Sequence, residues 1–434
     1  MTEKKRKELH ELLESDMTIR REFLGLQTQL APFPQHCSCQ RIMMVSSHLA
    51  QALVLQGAEP PRIFTGMENV IGKYEFSTTR RDQDMRILDI VPKFRPSTWK
   101  HGDDMPSMTV ICRGLKDGLV HYFDVERYTR LHDGFGYIND RPDIDLISAE
   151  NDLPKDAVIT RSPAWKGNDY CMGVNANVVF MTHWAVTEDA VVISESLAKK
   201  CTNLDIRQEK LALGVDDILL NIYGDKDMDE YKVIPDIGET VGPDGILAAI
   251  RTKNSTSYVS DMTPEALMTT EPLHDELIKA PPGSKILDVD VYINFALLGK
   301  IDENDSAYSQ LLRIFRDHQY YYDTIIMKYR QYKEWGFEID EAFNTLVLRA
   351  MEMTANPKLR KKNIKLCETR EPIEFINVVI TYAHEREITV GSKITGREGY
   401  VILASSGSDS GLKRSRIAGK RRSPPRRTNY VLVN

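Results

Sequence analysis

The sequence predicts an α+β fold, mainly β, with a helical segment at its start and a helical hairpin inserted between strands. Three observations carry this. Residues 156–260 are rich in β-branched runs separated by polar turns, and strand alternation returns at Ile376, Val378, Ile380 and Tyr382. Between Ser306 and Tyr332 the apolar period becomes helical (Leu311, Phe315, Tyr322, Ile326, Tyr329), and a second helix follows Gly336 over about Asp340 to Met353. Leu9, Leu12, Leu13, Met17 and Ile19 approximate one helical face within residues 1–30, before Pro32 and Pro34 break the pattern.

Each further element follows in order. Ile42 to Leu55 is an apolar, helix-like stretch. Arg86-Ile-Leu-Asp-Ile-Val-Pro and Met108-Thr-Val-Ile-Cys read as strands between turn signals such as Asp133-Gly and Leu153-Pro. Asn177-Val-Val-Phe-Met-Thr-His-Trp and Ala190-Val-Val-Ile-Ser flank a polar turn, and residues 160–177 read as a loop leading into the first of them. Gly238 to Ile250 is a strand-and-turn segment, and Leu287, Val289, Val291 and Ile293 form a half-buried strand. These divide the chain into a helical segment (1–60), a mixed β region (61–155), β segments at 156–275 and 373–399 around a strand and helical hairpin (276–372), and a basic tail (400–434).

Composition narrows the classes. Of 434 residues, 41% are hydrophobic and 28% charged, a globular balance. No apolar run reaches the ~18 residues of a membrane span, and the first residues lack the apolar core of a secretory signal. Six cysteines without a CxxC pair argue against zinc. The net charge of −6 argues against a general nucleic-acid coat, but it is unevenly spread: residues 400–434 carry +7 and the remainder −13.

Four stretches hold candidate chemistry. Phe33 to Leu53 places His36, Arg41 and Gln51 around the start of a helix; the planar fork of Arg41 suits a phosphate, and an ordinary surface arginine fits the same spacing. Val178 to Glu195 places Glu188 and Asp189 side by side in a turn between apolar strands, which suits Mg²⁺ as well as a solvated turn. Ile388-Thr-Val-Gly-Ser-Lys-Ile-Thr-Gly-Arg-Glu-Gly surrounds Lys393 and Arg397 with glycines that let backbone approach a polyanion, without the spacing of a Walker loop. Thr160 to Asn177 carries no chemistry of its own.

Taken in order, these stretches resemble landmarks of the C-terminal half of RNA polymerase β subunits. His36, Arg41, Met44, Ser46, Gln51 and Ala52 keep the pattern E-H-D-D-A-N-R and its continuation, although Cys37 to Gln40 replace D-D-A-N. Thr65-Gly-Met-Glu68 is similar to G-T-G-x-E. Asn175-Ala-Asn-Val-Val-Phe-Met and Glu188-Asp-Ala-Val-Val-Ile-Ser-Glu195 are similar to N-x-x-V-A-F-M and E-D-S-I-L-V-S-E. Val378 to Gly399 resembles a strand followed by G-D-K-M-A-G-R-H-G.

The resemblance implies an incomplete double-psi β-barrel beside a matching β′ barrel, and nucleotidyl transfer of NTPs to the RNA 3′ end between them. It assigns Glu188 and Asp189 to the surroundings of a second, substrate-borne Mg²⁺, reached largely through water, while the catalytic Mg²⁺ belongs to a β′-like partner. Lys393 faces the RNA 3′ end or substrate phosphates, and Arg41, Gln51 and Arg397 contact nucleotide or RNA backbone. Its partners are an N-terminal β-like fragment, β′-like fragments, DNA template, nascent RNA and NTPs, with no membrane, and the isolated chain is expected to be inactive. A β half beginning near residue 1 resembles the split subunits of giant (jumbo) bacteriophages, implying the host cytoplasm or the virion. The match stops at Gly399, where Val401 stands in place of an expected second lysine; the expectation is a chain cut short within the barrel, followed by a disordered tail foreign to the fold. Two alternatives remain: a non-catalytic β-like fragment that regulates a polymerase, and a basic-tailed nucleic-acid binder.

Overall fold

The computed structural model describes residues 24–75, 81–94, 106–131, 134–181, 191–225, 231–252, 263–271, 274–301, 306–359, 373–392, 401–404 and 430–433. Three helices come first: α1 (Leu26–Gln29), α2 (Cys39–Ala50) and α3 (Glu68–Lys73). The helix-like pattern at 42–55 is thus α2, begun three residues earlier after Ser38 in extended conformation. Residues 1–23, the core of the predicted amphipathic face, lie outside the described residues.

A β region follows, with β1 (Met85–Pro92), β2 (Met108–Gly114), β3 (Val120–Val125), β4 (Tyr128–Arg130), β5 (Phe135–Ile138) and β6 (Asp152–Leu153). Next are β7 (Trp165–Lys166), β8 (Asp169–Tyr170), β9 (Val178–Met181), β10 (Val191–Ser194), α4 (Glu195–Lys200), β11 (Asn203–Leu213) and β12 (Asp217–Leu219). The chain continues through β13 (Ile246–Thr252), α5 (Pro264–Leu267), β14 (Asp275–Lys279), β15 (Lys285–Ile293), α6 (Ser306–Glu334), α7 (Glu341–Met353) and β16 (Ile376–Arg386). Two short strands, β17 (Val401–Ala404) and β18 (Tyr430–Val433), come last.

These elements form two compact units. The first comprises Met1–Thr78, Arg161–Asn203 and Arg386–Asn434; the second comprises Thr79–Thr160 and Leu204–Glu385. Mixed helix and antiparallel sheet make the described fold mainly β.

In the second unit, β3-β2-β1-β6 form one antiparallel sheet. Its central strand β2 is buried at every position but Arg113 because both faces are covered. Val110 and Cys112 face a cluster with Met85, Ile87, Phe123, Val125 and Leu153, while Ile111 faces the helices. There Tyr321, Ile325 and Tyr332 of α6 and Phe343 and Val347 of α7 pack over it. The predicted hairpin is therefore a lid on this sheet. Its loop also joins the sheet edge, where Val120 N–H donates to the Glu338 carbonyl (2.9 Å) and Asp340 N–H to the Val120 carbonyl (3.0 Å). Thr109, fully buried on β2, donates to Asp124 at 2.5 Å and lies 2.9 Å from the Tyr321 hydroxyl.

The larger core lies under the sheet β15-β16-β11-β5-β4. Val289, Val291 and Ile293 meet Ile376, Val378 and Ile380 across the β15–β16 ladder and pack against Leu311, Leu312 and Phe315 of α6. Each such burial is worth about 1.5–3 kcal/mol, which is why α6 folds against this sheet. Among the described residues no helix is long and apolar enough to cross a membrane.

One expectation is corrected. Residues 160–177 are not simply a loop: β7 and β8 pair around Gly167-Asn168, with Gly167 at φ +63°. A Gly-Asn pair suits such a two-residue hairpin turn, a signal present in the sequence. In the stretch expected to be a disordered tail, Val401–Ala404 pairs parallel with β10 and Tyr430–Val433 antiparallel with β9. Both are short apolar, β-prone runs, and strand edges accept such segments.

A buried ion pair fixes the small sheet β12-β13-β14. Arg251 donates to Asp275 through Nε (2.7 Å) and Nη2 (2.8 Å), and to the carbonyls of Ala266 (3.1 Å) and Thr269 (3.2 Å). Burial opposes the Asp275 charge, but Arg251 and the Glu271 N–H hold its carboxyl below the usual range. Asp275→Ala removes the carboxylate that neutralises the buried guanidinium and is expected to cost about 3–5 kcal/mol in a urea melt. Because the folded-state pKa is depressed, the pair's contribution is present at neutral pH and is lost as pH falls through the ordinary carboxylate range and below it. A wild-type melt for the variant refutes this.

Candidate functional site

The elements carrying the candidate residues lie in the first unit. Among the described residues, polar stitches hold them together. Glu59 is the main knot. Its carboxylate accepts from Lys200 Nζ (2.8 Å) and from the Asn175 N–H (3.0 Å), and its own N–H donates to the Gly173 carbonyl (2.7 Å). Asn175 Nδ2 in turn donates to the Pro60 carbonyl (2.8 Å). The Lys200 and Asn175 donors hold the Glu59 carboxyl below its ordinary range. Three segments distant in sequence, 57–60, 173–175 and the end of α4, thus meet at one side chain.

Thr65-Gly-Met-Glu68 is a second knot. The buried Glu68 carboxylate accepts from the Thr65 N–H (2.8 Å), the Thr65 hydroxyl (2.9 Å) and the Gly66 N–H (2.9 Å). Burial opposes its charge, yet these donors leave the carboxyl below its usual range. Gly66, at φ +84°, has the left-handed backbone this loop requires. The glutamate of this motif fixes its own loop at the start of α3. Sequence inspection flagged the motif without that role; the signal was the three-residue spacing from Thr65 to Glu68 at a helix start.

Helix α3 then packs on the β7–β8 hairpin. Asn69 Oδ1 accepts from the Tyr170 N–H (2.8 Å), and Trp165 and Tyr170 meet edge to face at 5.5 Å. A Cβ on Gly72 would lie 2.5 Å from the Trp165 ring and 2.7 Å from that of Tyr170.

The candidate residues fall as follows. Arg41 is exposed in the first turn of α2, with Nη1 3.7 Å from Met44 Sδ. Gln51 is the exposed C-terminal cap of the same helix. Ten residues separate them, about 15 Å along the axis, so the two side chains start from opposite ends of α2. Glu188, Asp189, Lys393 and Arg397 lie outside the described residues, but their flanks do not. β10 begins two residues after Asp189. Its last residue, Ser194, caps α4 by accepting from the Leu197 N–H (3.2 Å), and Glu195 in the first turn and Lys199 and Lys200 in the last complement the helix dipole. On the other flank, Thr389 to Ser392 is a closed turn, with Ser392 N–H donating to the Thr389 carbonyl (3.0 Å) and Gly391 at φ +88°. Ile388, like Val191 and Leu197, packs against the cluster of Ile193 and Ala198. The segment entering Lys393 and the strand leaving Asp189 therefore share one apolar cluster.

An open concavity of about 520 Å³ in the second unit, lined by Arg130, Gly134, Ile206, Arg207 and Gln208, holds none of the candidates. Its guanidiniums are engaged, Arg130 with Gln208 and Arg207 with Asp205 at 2.9 Å. Among the described residues, no group of three or more His, Cys, Asp or Glu side chains is placed to hold a metal ion.

No protein-family profile matches the chain. Individual proteins do. It is 27% identical over 275 residues to the DNA-directed RNA polymerase subunit β of Chlamydia caviae, covering 62% of this chain and 20% of that one. It is 25% identical over 316 residues to the β subunit of Tropheryma whipplei, 69% and 25% of the two chains. Against the Dehalococcoides mccartyi β subunit it is 26% identical over 285 residues, 62% and 20% of the two chains. The chain is thus RNA polymerase β-like over most of its length, and the match spans a fifth to a quarter of these relatives.

The packing of α3 yields a test. Gly72→Val places side-chain carbons within the Trp165 and Tyr170 rings. Overpacking of this kind costs about 1–3 kcal/mol. The variant is expected to melt lower and to expose Trp165 to acrylamide quenching, in a background with the other three tryptophans replaced by Phe; unchanged quenching refutes the packing.

Proposed function

We propose that this chain forms part of a DNA-directed RNA polymerase, in the role of a β-like segment that lines the site of nucleotide addition. The observation that carries the reading is its similarity to bacterial β subunits over 62–69% of its length. The convergence of the Asp189 and Lys393 flanks on one cluster supports it. In the reaction the RNA 3′-hydroxyl attacks the α-phosphorus of an NTP, and the bond to pyrophosphate breaks.

The chain's own residues act electrostatically in this reading. Lys393 and Arg397 neutralise phosphate oxygens, and the fork of Arg41 grips nucleotide phosphate while Gln51 meets RNA backbone. Glu188 and Asp189 are hard oxygen donors, and Mg²⁺ takes one or two carboxylates with several retained waters, so the pair fits a metal arriving on the substrate. When bound, that metal supplies charge neutralisation of the triphosphate. The carboxylates orient its waters.

Purification of the tagged chain from its native source tests the whole reading. Recovery with β′-like and further β-like polypeptides, in a fraction that copies DNA into RNA, is expected. Recovery alone, or with no polymerase subunit, refutes it. Within the assembled enzyme, Asp189→Ala is expected to slow nucleotide addition about a hundredfold, the loss of ~3 kcal/mol typical of one pre-positioned electrostatic group. A wild-type rate restores the solvated turn. Arg41→Ala should raise KM for NTPs more than fivefold, with Arg41→Lys between it and wild type, since lysine keeps charge but not the fork. Unaltered KM in both makes Arg41 a bystander.

A further inference from the structure

We propose that Glu59 is a positioning residue for nucleotide addition: its carboxylate holds α4, and through α4 the strand that leaves Asp189 and the segment that enters Lys393. The inference rests on the polymerase reading above and gives a role to a residue which that reading does not use.

Helix α4 is where two lines of the chain meet. Ser194 is at once the last residue of β10 and the N-cap of α4, accepting from the Leu197 N–H at 3.2 Å. Strand and helix are therefore one continuous piece, and that piece begins two residues after Asp189. Ile388, on the segment that enters Lys393, packs against Ile193 of the strand and Ala198 of the helix. A shift of α4 therefore displaces both approaches.

The helix has little apolar hold of its own. Of its six residues only Ala198 is buried. Its last residue, Lys200, donates through Nζ to Glu59 Oε1 at 2.8 Å. The helix end is ordered by bonds from the Cys201 N–H to the Leu197 carbonyl (3.0 Å) and from the Thr202 N–H to the Lys199 carbonyl (3.2 Å). A tie at Lys200 is thus a tie on the helix.

Glu59 is anchored on its other side. Its own N–H donates to the Gly173 carbonyl (2.7 Å), and its Oε2 accepts from the Asn175 N–H (3.0 Å), three residues before β9. The two oxygens do separate work. One holds the chain that enters β9, the other the helix that follows β10, and Glu188 and Asp189 lie between those strands in sequence. Glu68 has no such reach, since the bonds it accepts come from Thr65 and Gly66 of its own loop.

Groups that orient a site without touching substrate typically cost about 10–100-fold in activity when removed. An ion pair as exposed as this one, at 32% for Glu59 and 52% for Lys200, adds little stability. Positioning and stabilisation therefore separate: positioning predicts a lost rate in an intact protein.

The test uses polymerase assembled with the full chain, carrying Glu59→Ala, Lys200→Met, both together, or Asp189→Ala. Glu59→Ala keeps the backbone bond of residue 59 to Gly173 and the bond from Asn175 Nδ2 to the Pro60 carbonyl (2.8 Å). It is expected to lower kcat for single-nucleotide addition about tenfold with KM nearly unchanged. Amide hydrogen exchange across β10 and α4 should quicken about tenfold, while the melt of the complex moves little. Lys200→Met should slow addition in the same way and Lys200→Arg, which keeps charge and donors, should restore it. The double variant should be no slower than Glu59→Ala, because both changes remove one bond. Unaltered kcat, a loss confined to KM, unchanged exchange across β10 and α4, or losses that multiply in the double variant each overturn the proposal. If Glu59→Ala fails to assemble, Lys200→Met, which leaves Glu59 on Asn175, decides. Slowing by Asp189→Ala without slowing by Glu59→Ala overturns this proposal alone; slowing by neither overturns it together with the functional reading.

Discussion

The ladder between β15 and β16 organises the second unit. It pairs Lys285–Ile293 with Ile376–Ala383 across more than eighty residues of intervening chain, including both long helices. Closing so long a loop carries an entropic cost that grows only slowly with length, and a ladder with an apolar face, interrupted by a bulge between Ile286 and Asp288, offsets it. Side chains of β15 and β16 alternate so that Val289, Val291, Val378 and Ile380 face the core. α6 lies over that face through Leu311 and Phe315 and continues beyond it to cover the β1–β3 sheet with Ile325 and Tyr332. One helix thereby joins two clusters, and the strand that closes the loop leads directly into Ile388 and the turn before Lys393.

Among the described residues, the two units are held together differently. The second has large apolar clusters, a bidentate buried ion pair and a hairpin loop zipped onto a strand edge. The first relies on Glu59, Glu68 and Asn175, each satisfying several backbone or side-chain groups. Such hydrogen bonds specify geometry but contribute modest net stability, about 0.5–1.5 kcal/mol each. Such stitches hold the described loops of the first unit in defined positions.

Much of the pattern was legible from residue order. The period change at Ser306, the alternation at 287–293 and 376–382 and the apolar run Met108 to Cys112 each correspond to an element. The β7–β8 hairpin was overlooked because two-residue strands have too few positions to show alternation, although Gly167-Asn168 marked the turn. Glu68 resembled a motif residue whose role was unassigned; only its three accepted hydrogen bonds identify it as a loop clamp. For Arg41 and Gln51, spacing suggested one locale, whereas a helix with 1.5 Å rise per residue carries them apart.

The sequence by itself determined the types and order of the longer elements and the resemblance to β subunits, because periodicity and motif order are local properties read along the chain. It could not determine which distant segments meet. That Glu59 gathers residues 173–175 and Lys200, that α6 and α7 cover the β1–β3 sheet, and that Ile388 joins the cluster of Val191 and Ile193 were decided by tertiary structure. The physical reason is that burial and polar satisfaction are set by pairs of groups far apart in sequence. No residue carries the identity of its partner until the chain has folded.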